Sequence, residues 1–240
     1  MKDQRVKAFL KKILPRWVLK LYNRTVSRAV IRRRIGAWFD IEWNRNAHQR
    51  SDREWTAAYD ASWENWKGSD LSPEDVERLR EMVGHCSTLL DAGCGDGFLL
   101  ERLRDLADNC AGVDLSIVGL KHARERLGSA PLLTQSFLEA LPFPDRSFDT
   151  VVCTHTLEHV KHLDKAIAEL QRITARKLIV LVPSQSEVLY SEDYHLHYFP
   201  QEADLLKHFS LPNAQCERYT VPEGVCSYAG DVLLLVAEME

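Results

Sequence analysis

The stretch Leu89-Leu90-Asp91-Ala92-Gly93-Cys94-Gly95-Asp96-Gly97 carries more structural information than any other part of the chain. The apolar run from Thr88 to Ala92 has the length and composition of a buried strand. Three glycines at alternate positions then let the backbone turn sharply and let a ligand approach it closely. Apolar residues from Phe98 to Leu106 continue as a helix. The order strand, glycine turn, helix opens an α/β unit, and ligands of open α/β sheets sit at the carboxyl end of such a strand.

The residues that follow keep alternating. Cys110–Leu115 reads as a second strand and closes on Asp114, 23 residues after Asp91. A carboxylate near that offset accepts hydrogen bonds from ribose hydroxyls. The glycines are spaced G-x-G-x-G, with Asp91 two places before the first, whereas a pyrophosphate loop reads G-x-G-x-x-G. That spacing argues against a dinucleotide. Further on come a helix through Lys121–Leu127, a strand at Leu132–Gln135, and a strand at Phe148–Cys153. A helix at Leu163–Ile173 precedes a strand at Lys177–Val182 that Pro183 stops, and a helix covers Gln201–His208. Gln215–Val221 and Asp231–Glu238 have no helical pattern between them, so they should pair antiparallel. The expected fold is α/β. It is a doubly wound, seven-stranded, mostly parallel, Rossmann-like sheet with a terminal antiparallel hairpin and an N-terminal helical extension.

Upstream, Ser72-Pro73-Glu74-Asp75 is a helix start: a Ser cap, Pro at the first helical position and acids in the first turn. Residues 1–70 differ from residues 71–240 and are expected to form a basic, Trp-rich helical extension or lid on the main domain. All six tryptophans lie there, and residues 1–39 hold twelve Lys or Arg against one acid, Asp3. The rest of the chain holds nineteen Lys or Arg against thirty-four acids. Within residues 6–21, Val6, Phe9, Leu10, Ile13, Leu14, Trp17, Val18 and Leu21 recur at helical spacing opposite a lysine-rich face, with Pro15 as a kink. This helix either lies on an anionic membrane as a peripheral contact or packs on its own domain or a second subunit. Nucleic acid is not an expected partner, because the remainder is acidic and no binding motif appears. No run of about 18 apolar residues suggests a membrane-spanning helix. The six cysteines form no C-x-x-C pair and read as reduced thiols of a cytoplasmic protein, peripheral to the inner face of a membrane if the basic helix binds one.

The chain resembles class I S-adenosylmethionine-dependent methyltransferases, in particular the small-molecule branch related to the ubiquinone and menaquinone biosynthesis enzymes. The matching stretches are Leu89–Gly97, Val113–Ser116, Leu141-Pro142-Phe143-Pro144-Asp145 with Ser147-Phe148-Asp149, and Leu157-Glu158-His159-Val160. His195-Leu196-His197-Tyr198-Phe199 is similar too. The resemblance covers about residues 72–240 and implies S-adenosylmethionine as cofactor. By it, Asp91, Gly93, Cys94 and Gly95 line the methionine end, with Asp91 facing the ammonium. Asp114 and Leu115 hold the ribose, Gln135–Glu139 with Phe137 and Leu138 flank the adenine, and Thr154 and His155 close over the cofactor. Many relatives carry Asp where this chain has Phe137. Either backbone contacts suffice with Phe137 stacking, or the segment shifts and Glu139 serves.

A hydroxyl or amine acceptor needs a base, and His155, His159, His195 and His197 are the catalytic candidates. His155 follows the fourth strand. His159 reads as a pocket residue or a packed histidine. His195 and His197 alternate, as substrate contacts or as loop anchors. Glu158 and His159, with His155 one turn earlier, offer mixed N/O ligands. The ubiquinone-type enzymes, whose corresponding region is linked to a divalent ion, carry Glu in place of His155, so no metal is expected here. Asp52–Trp55, Tyr59 and Trp63–Trp66 read as a lid with aromatics over the cofactor, or as core packing. The expected reaction is methyl transfer to an O or N atom of a small-molecule substrate, with the basic helix favouring a lipid-linked, quinone-like or glycolipid acceptor. The alternative is a cofactor-binding regulatory or scaffold protein without turnover.

Overall fold

Continuous apolar runs, whose side chains point alternately to the two faces, build a sheet buried on both faces. In the computed structural model, which describes residues 33, 36, 39–65, 69–187, 193–209 and 211–239, seven strands form. They are β1 (Cys86–Ala92), β2 (Ala107–Asp114), β3 (Leu132–Gln135), β4 (Phe148–Thr154), β5 (Thr174–Pro183), β6 (Gln215–Val221) and β7 (Gly230–Glu238). Their order is β3-β2-β1-β4-β5-β7-β6. The pairs from β3 through β5 are parallel. β7 runs antiparallel to both β5 and β6. The late pair is thus antiparallel as expected, with β7 inserted between β5 and β6. Leu90, Ala92, Val180, Val182, Leu233 and Leu235 bury one face. Leu89, Ile179, Leu181, Val232 and Leu234 bury the other. Side chains of a strand point alternately to its two faces, and both faces here meet helices.

The helices that position the site are α1 (Asp52–Asn65), α2 (Pro73–Val83), α3 (Phe98–Leu103), α4 (Ile117–Leu127), α5 (Leu163–Ile173) and α6 (Glu202–Leu206). At α2 the Ser72 side chain accepts from the Asp75 amide at 3.1 Å, and Asp75 accepts from the Ser72 amide at 2.6 Å. This reciprocal cap satisfies two amides that a helix start leaves orphaned. At α4, Ser116 caps by accepting from the Gly119 amide at 3.1 Å.

The chain divides into two compact units: Met1–Asn46 with Val188–Tyr194, and Ala47–Glu187 with His195–Glu240. In the first, Trp43–Asn46 form a helical turn. The Phe39 ring stacks on Tyr194 at 4.4 Å, and Trp43 tilts against Tyr194 at 4.9 Å. The second holds the sheet. The boundary expected at residue 70 therefore differs from the compact division, since α1 groups with the sheet. The amphipathic pattern at 6–21 lies outside the described residues, as do Trp17, Trp38 and Trp66. Among the described residues no helix is long and apolar enough to cross a membrane.

Candidate active site

Strand order reverses beside β1, with β2 on one side and β4 on the other. Such a switch point leaves a crevice at the carboxyl ends of the strands. Asp91 is near the end of β1, Asp114 closes β2, and Thr154 closes β4 ahead of His155. The glycine loop is stitched to β2: the Gly93 and Cys94 amides both donate to the Val113 carbonyl, at 2.7 and 3.0 Å. Gly93 (φ 87°) and Gly95 (φ 50°) occupy left-handed backbone that favours glycine. A methyl on Gly93 would run into the Thr156 side chain, and one on Gly95 into the Trp63 indole. The Cys94 side chain turns to the backbone of Gly112 and packs there.

The electrostatics of this edge are one-sided. Asp91 is 1% exposed, and neither carboxylate oxygen has a hydrogen-bond partner among the described residues. Burial, reinforced by Asp114, pushes its pKa up to about 7. Asp114 accepts from the Gly95 amide at 2.8 Å and the Ser116 amide at 2.7 Å. Burial nevertheless pushes it up to about 6, opposed by those amides and aided by the Asp60 charge. Asp60 accepts from the Ser116 hydroxyl at 2.6 Å and the Val118 amide at 3.2 Å. Among the described residues no Lys or Arg pairs with Asp91 or Asp114. A buried carboxylate without a partner costs several kcal/mol, and it selects a cationic ligand over a phosphate-bearing one.

α1 crosses this edge. Its start is held where Lys161 Nζ donates to the Arg50 carbonyl and to Asp52, both at 3.2 Å. Tyr59 donates to the His159 carbonyl at 3.4 Å. Trp63 packs on Gly95 and Gly119. Trp55 is buried and donates its indole N–H to the Ala47 carbonyl at 3.0 Å. Of the lid aromatics, Trp55 is thus core packing, whereas Trp63 borders the glycine loop.

In the segment expected to flank the adenine, Leu138 is buried and Phe137 half-buried, while Leu115 follows β2 half-buried. The Glu139 side chain accepts from the Lys161 and His162 amides, at 2.8 and 2.9 Å. That engagement of Oε1 ties the segment to the loop before α5.

The four histidines fall in different places. His155 is strained, with φ 47°, and its amide donates to the Leu181 carbonyl at 2.8 Å. Such strain in a non-glycine residue persists only where the surroundings enforce it. Its Nδ1 lies 3.5 Å from Glu158 Oε1, and its Nε2 has no partner among the described residues. Burial works to lower the His155 pKa, but Glu158 outweighs it and the imidazole is raised. His195 is buried with Nδ1 2.8 Å from Gln185 Oε1, and burial pushes its pKa down to about 4. His159 packs edge-on against His195, ring centroids 4.7 Å apart. His197 contacts the Val160 carbonyl through Nε2 at 2.8 Å, which makes it a loop anchor. Glu158, Asp60, Trp63 and Gln185 are the polar or aromatic residues whose placement the sequence left open.

Residues 90–181 match the family described as "Methyltransferase domain". Over that segment the chain is similar to methyltransferase domains. A malonyl-[acyl-carrier protein] O-methyltransferase of Erwinia pyrifoliae is 36% identical over 108 residues, 44% of this chain and 41% of that protein. The chain thus covers less than half of that curated relative. The crystal structure of a SAM-dependent methyltransferase from Aquifex aeolicus superposes with TM-score 0.54 at 17% identity, covering 80% of this chain and all of that one. The [4+2]-cyclase SpnF superposes with TM-score 0.57 at 20% identity, covering 78% of this chain and 97% of that one. A cyclase on the same fold means that the sheet alone does not name the reaction. S-adenosylmethionine is the cofactor that this similarity implies. The orphaned Asp91 carboxylate fits it, because the ligand's methionine end carries an ammonium and a sulfonium.

Proposed function

We propose that this chain transfers a methyl group from S-adenosylmethionine to an oxygen or nitrogen atom of a small-molecule acceptor. The observation that carries the reading is the buried, unpartnered Asp91 beside Asp114 at the switch point, a cation-selective pair under a glycine loop. When bound, the cofactor supplies an electrophilic methyl on its sulfonium, and the protein supplies orientation and electrostatics. Asp91 accepts from the ammonium. Asp114, already fixed by the Gly95 and Ser116 amides, keeps lone pairs for the ribose hydroxyls. Gly93 and Gly95 let the Thr156 and Trp63 side chains pack directly on the loop backbone, and Trp63 covers Gly95.

His155 is the acceptor-side residue in this reading. It directly follows Thr154 on the same edge, with Nε2 unpartnered. Holding the acceptor's proton there aligns the attacking atom for in-line displacement. The relative from Erwinia pyrifoliae, named for O-methyl transfer, supports oxygen as the acceptor atom. The twelve basic residues within 1–39 favour an acceptor presented at an anionic surface: a lipid-linked, quinone-like or glycolipid molecule. The experiment is incubation with methyl-labelled cofactor and fractionated lipid and metabolite extracts. Label in a discrete acceptor, lost in His155→Ala with cofactor affinity retained, supports the reading. Tight cofactor binding with no labelled product in any fraction would instead favour a regulatory or scaffold protein.

A further inference from the structure

α1 is tied to both banks of the cofactor crevice. On the β4 side, Lys161 Nζ holds its start through the Arg50 carbonyl and the Asp52 carboxylate, and the Tyr59 hydroxyl donates to the His159 carbonyl. On the β2 side the polar tie is a single carboxylate. Asp60 Oδ1 accepts from the Ser116 hydroxyl at 2.6 Å and from the Val118 amide at 3.2 Å. Three residues on, and so on the same side of the helix, Trp63 lies over Gly95.

Ser116 is where α1 meets the ribose carboxylate. The Ser116 amide donates to Asp114 Oδ1 at 2.7 Å. Its hydroxyl oxygen accepts from the Gly119 amide at 3.1 Å, and its one hydroxyl proton goes to Asp60. The Val118 amide is one of the donors that the start of α4 leaves without an intrahelical partner, and Asp60 takes that too. The residue that caps α4 and grips Asp114 is thus held from α1.

Two further features belong to this tie. Gly119 sits in the first turn of α4, although glycine destabilises a helix relative to alanine. A methyl there would come within 3.1 Å of the Trp63 ring and 3.2 Å of the Gly95 carbonyl. Its absence lets α1, α4 and the glycine loop touch. Asp60 and Asp114 are also two carboxylates bonded to one serine, and each charge opposes the other. A cationic ligand at Asp91 and Asp114 relieves that opposition. An occupied site then favours a seated α1, and by linkage a seated α1 favours an occupied site.

We propose that Asp60 is a positioning residue of the cofactor site. From α1 it sets Ser116 and, through Ser116, Asp114, so that α1 straps the bound cofactor and has to release the β2 bank before the cofactor leaves. The inference rests on the cofactor reading above and is independent of the acceptor. The sequence pointed to the aromatics of α1 as the lid, whereas the latch is a carboxylate between them.

The test needs no methyl transfer. Labelled S-adenosylhomocysteine is bound to the full chain and chased with excess unlabelled ligand. Asp60→Ala should release the label about 10–100-fold faster, the range for losing a hydrogen bond to a charged group. Asp60→Asn keeps an oxygen acceptor of about half the strength and should lose only about 3–10-fold. Ser116→Ala should also release faster, and the double variant with Asp60→Ala should lose less than the two effects combined. Hydrogen exchange on the same samples separates positioning from plain stability. The ligand should protect the α1 amides in the native chain and in Asp60→Asn but not in Asp60→Ala, while the Gly93 and Gly95 amides are protected in all three. Glu202→Gln, at a surface pair with Arg218, should behave as native. Native release with native protection of α1 in Asp60→Ala overturns the proposal, as does an Asp60→Asn no better than Asp60→Ala. A native chain that binds no label overturns the cofactor reading as well, a result distinct from either of these.

Discussion

Replacing Asp91 with Asn should make cofactor binding weaker and less dependent on pH, and should make the ligand-free protein more stable at high pH. The native Asp91 has a folded-state pKa of about 7 and Asp114 one of about 6. Ammonium and ribose binding need both ionised. Between pH 7.5 and pH 6 the two protonate together, which weakens binding about fifteenfold, or about 1.6 kcal/mol. Asp91→Asn leaves only the Asp114 part, about twofold. In the empty protein the sign reverses. A folded pKa above the unfolded one means that the neutral carboxyl stabilises the fold. That contribution is complete below about pH 4 and lost as the pH rises through about 7. Asn escapes the loss. Because it buries an unsatisfied amide instead, the net gain at pH 8 is about 2 kcal/mol, or about 4–8 °C in Tm. Isothermal calorimetry with S-adenosylmethionine at the two pH values, in two buffers of different ionisation enthalpy, reads both affinity and proton release. A native affinity that changes less than twofold across this range, or an equal slope in the variant, refutes the reasoning.

Other outcomes follow from the same contacts. Asp114→Ala should cost about 1–3 kcal/mol of cofactor affinity by calorimetry, since charged hydrogen bonds to the ribose go; unchanged affinity removes Asp114 from the site. Trp63→Ala should speed cofactor dissociation in stopped-flow fluorescence while the far-UV spectrum stays native, because the indole covers the loop at Gly95. Ser72→Ala should lower stability by about 1 kcal/mol in a urea titration through loss of the α2 cap, without touching cofactor affinity.

The parts of the molecule legible in the sequence are those written in local patterns. The β1 apolar run, the alternate glycines and the Ser72 cap each specify their own backbone, and Asp114 follows at a spacing that the β-α-β unit imposes. What escaped depends on distant partners. β2 begins at Ala107, earlier than its apolar residues suggest, because Ala107 and Asn109 pair with Cys86 and Thr88 through the backbone while the side chains of Asp108 and Asn109 are exposed. β7 lies between β5 and β6, and no spacing along the chain encodes that order. Glu139 Oε1 accepts from the Lys161 and His162 amides, partners that lie far along the chain. The left-handed His155 and the orphaned Glu158 arise only when β4, β5 and the segment 195–199 meet. Composition exposes none of these.

A structure with S-adenosylmethionine bound tests the central claim most directly. The cofactor's amino group should lie within hydrogen-bond distance of Asp91, with both ribose hydroxyls on Asp114 and the base against Phe137 and Leu138. A cofactor seated elsewhere, or with Asp91 still unpartnered beneath it, would contradict the account.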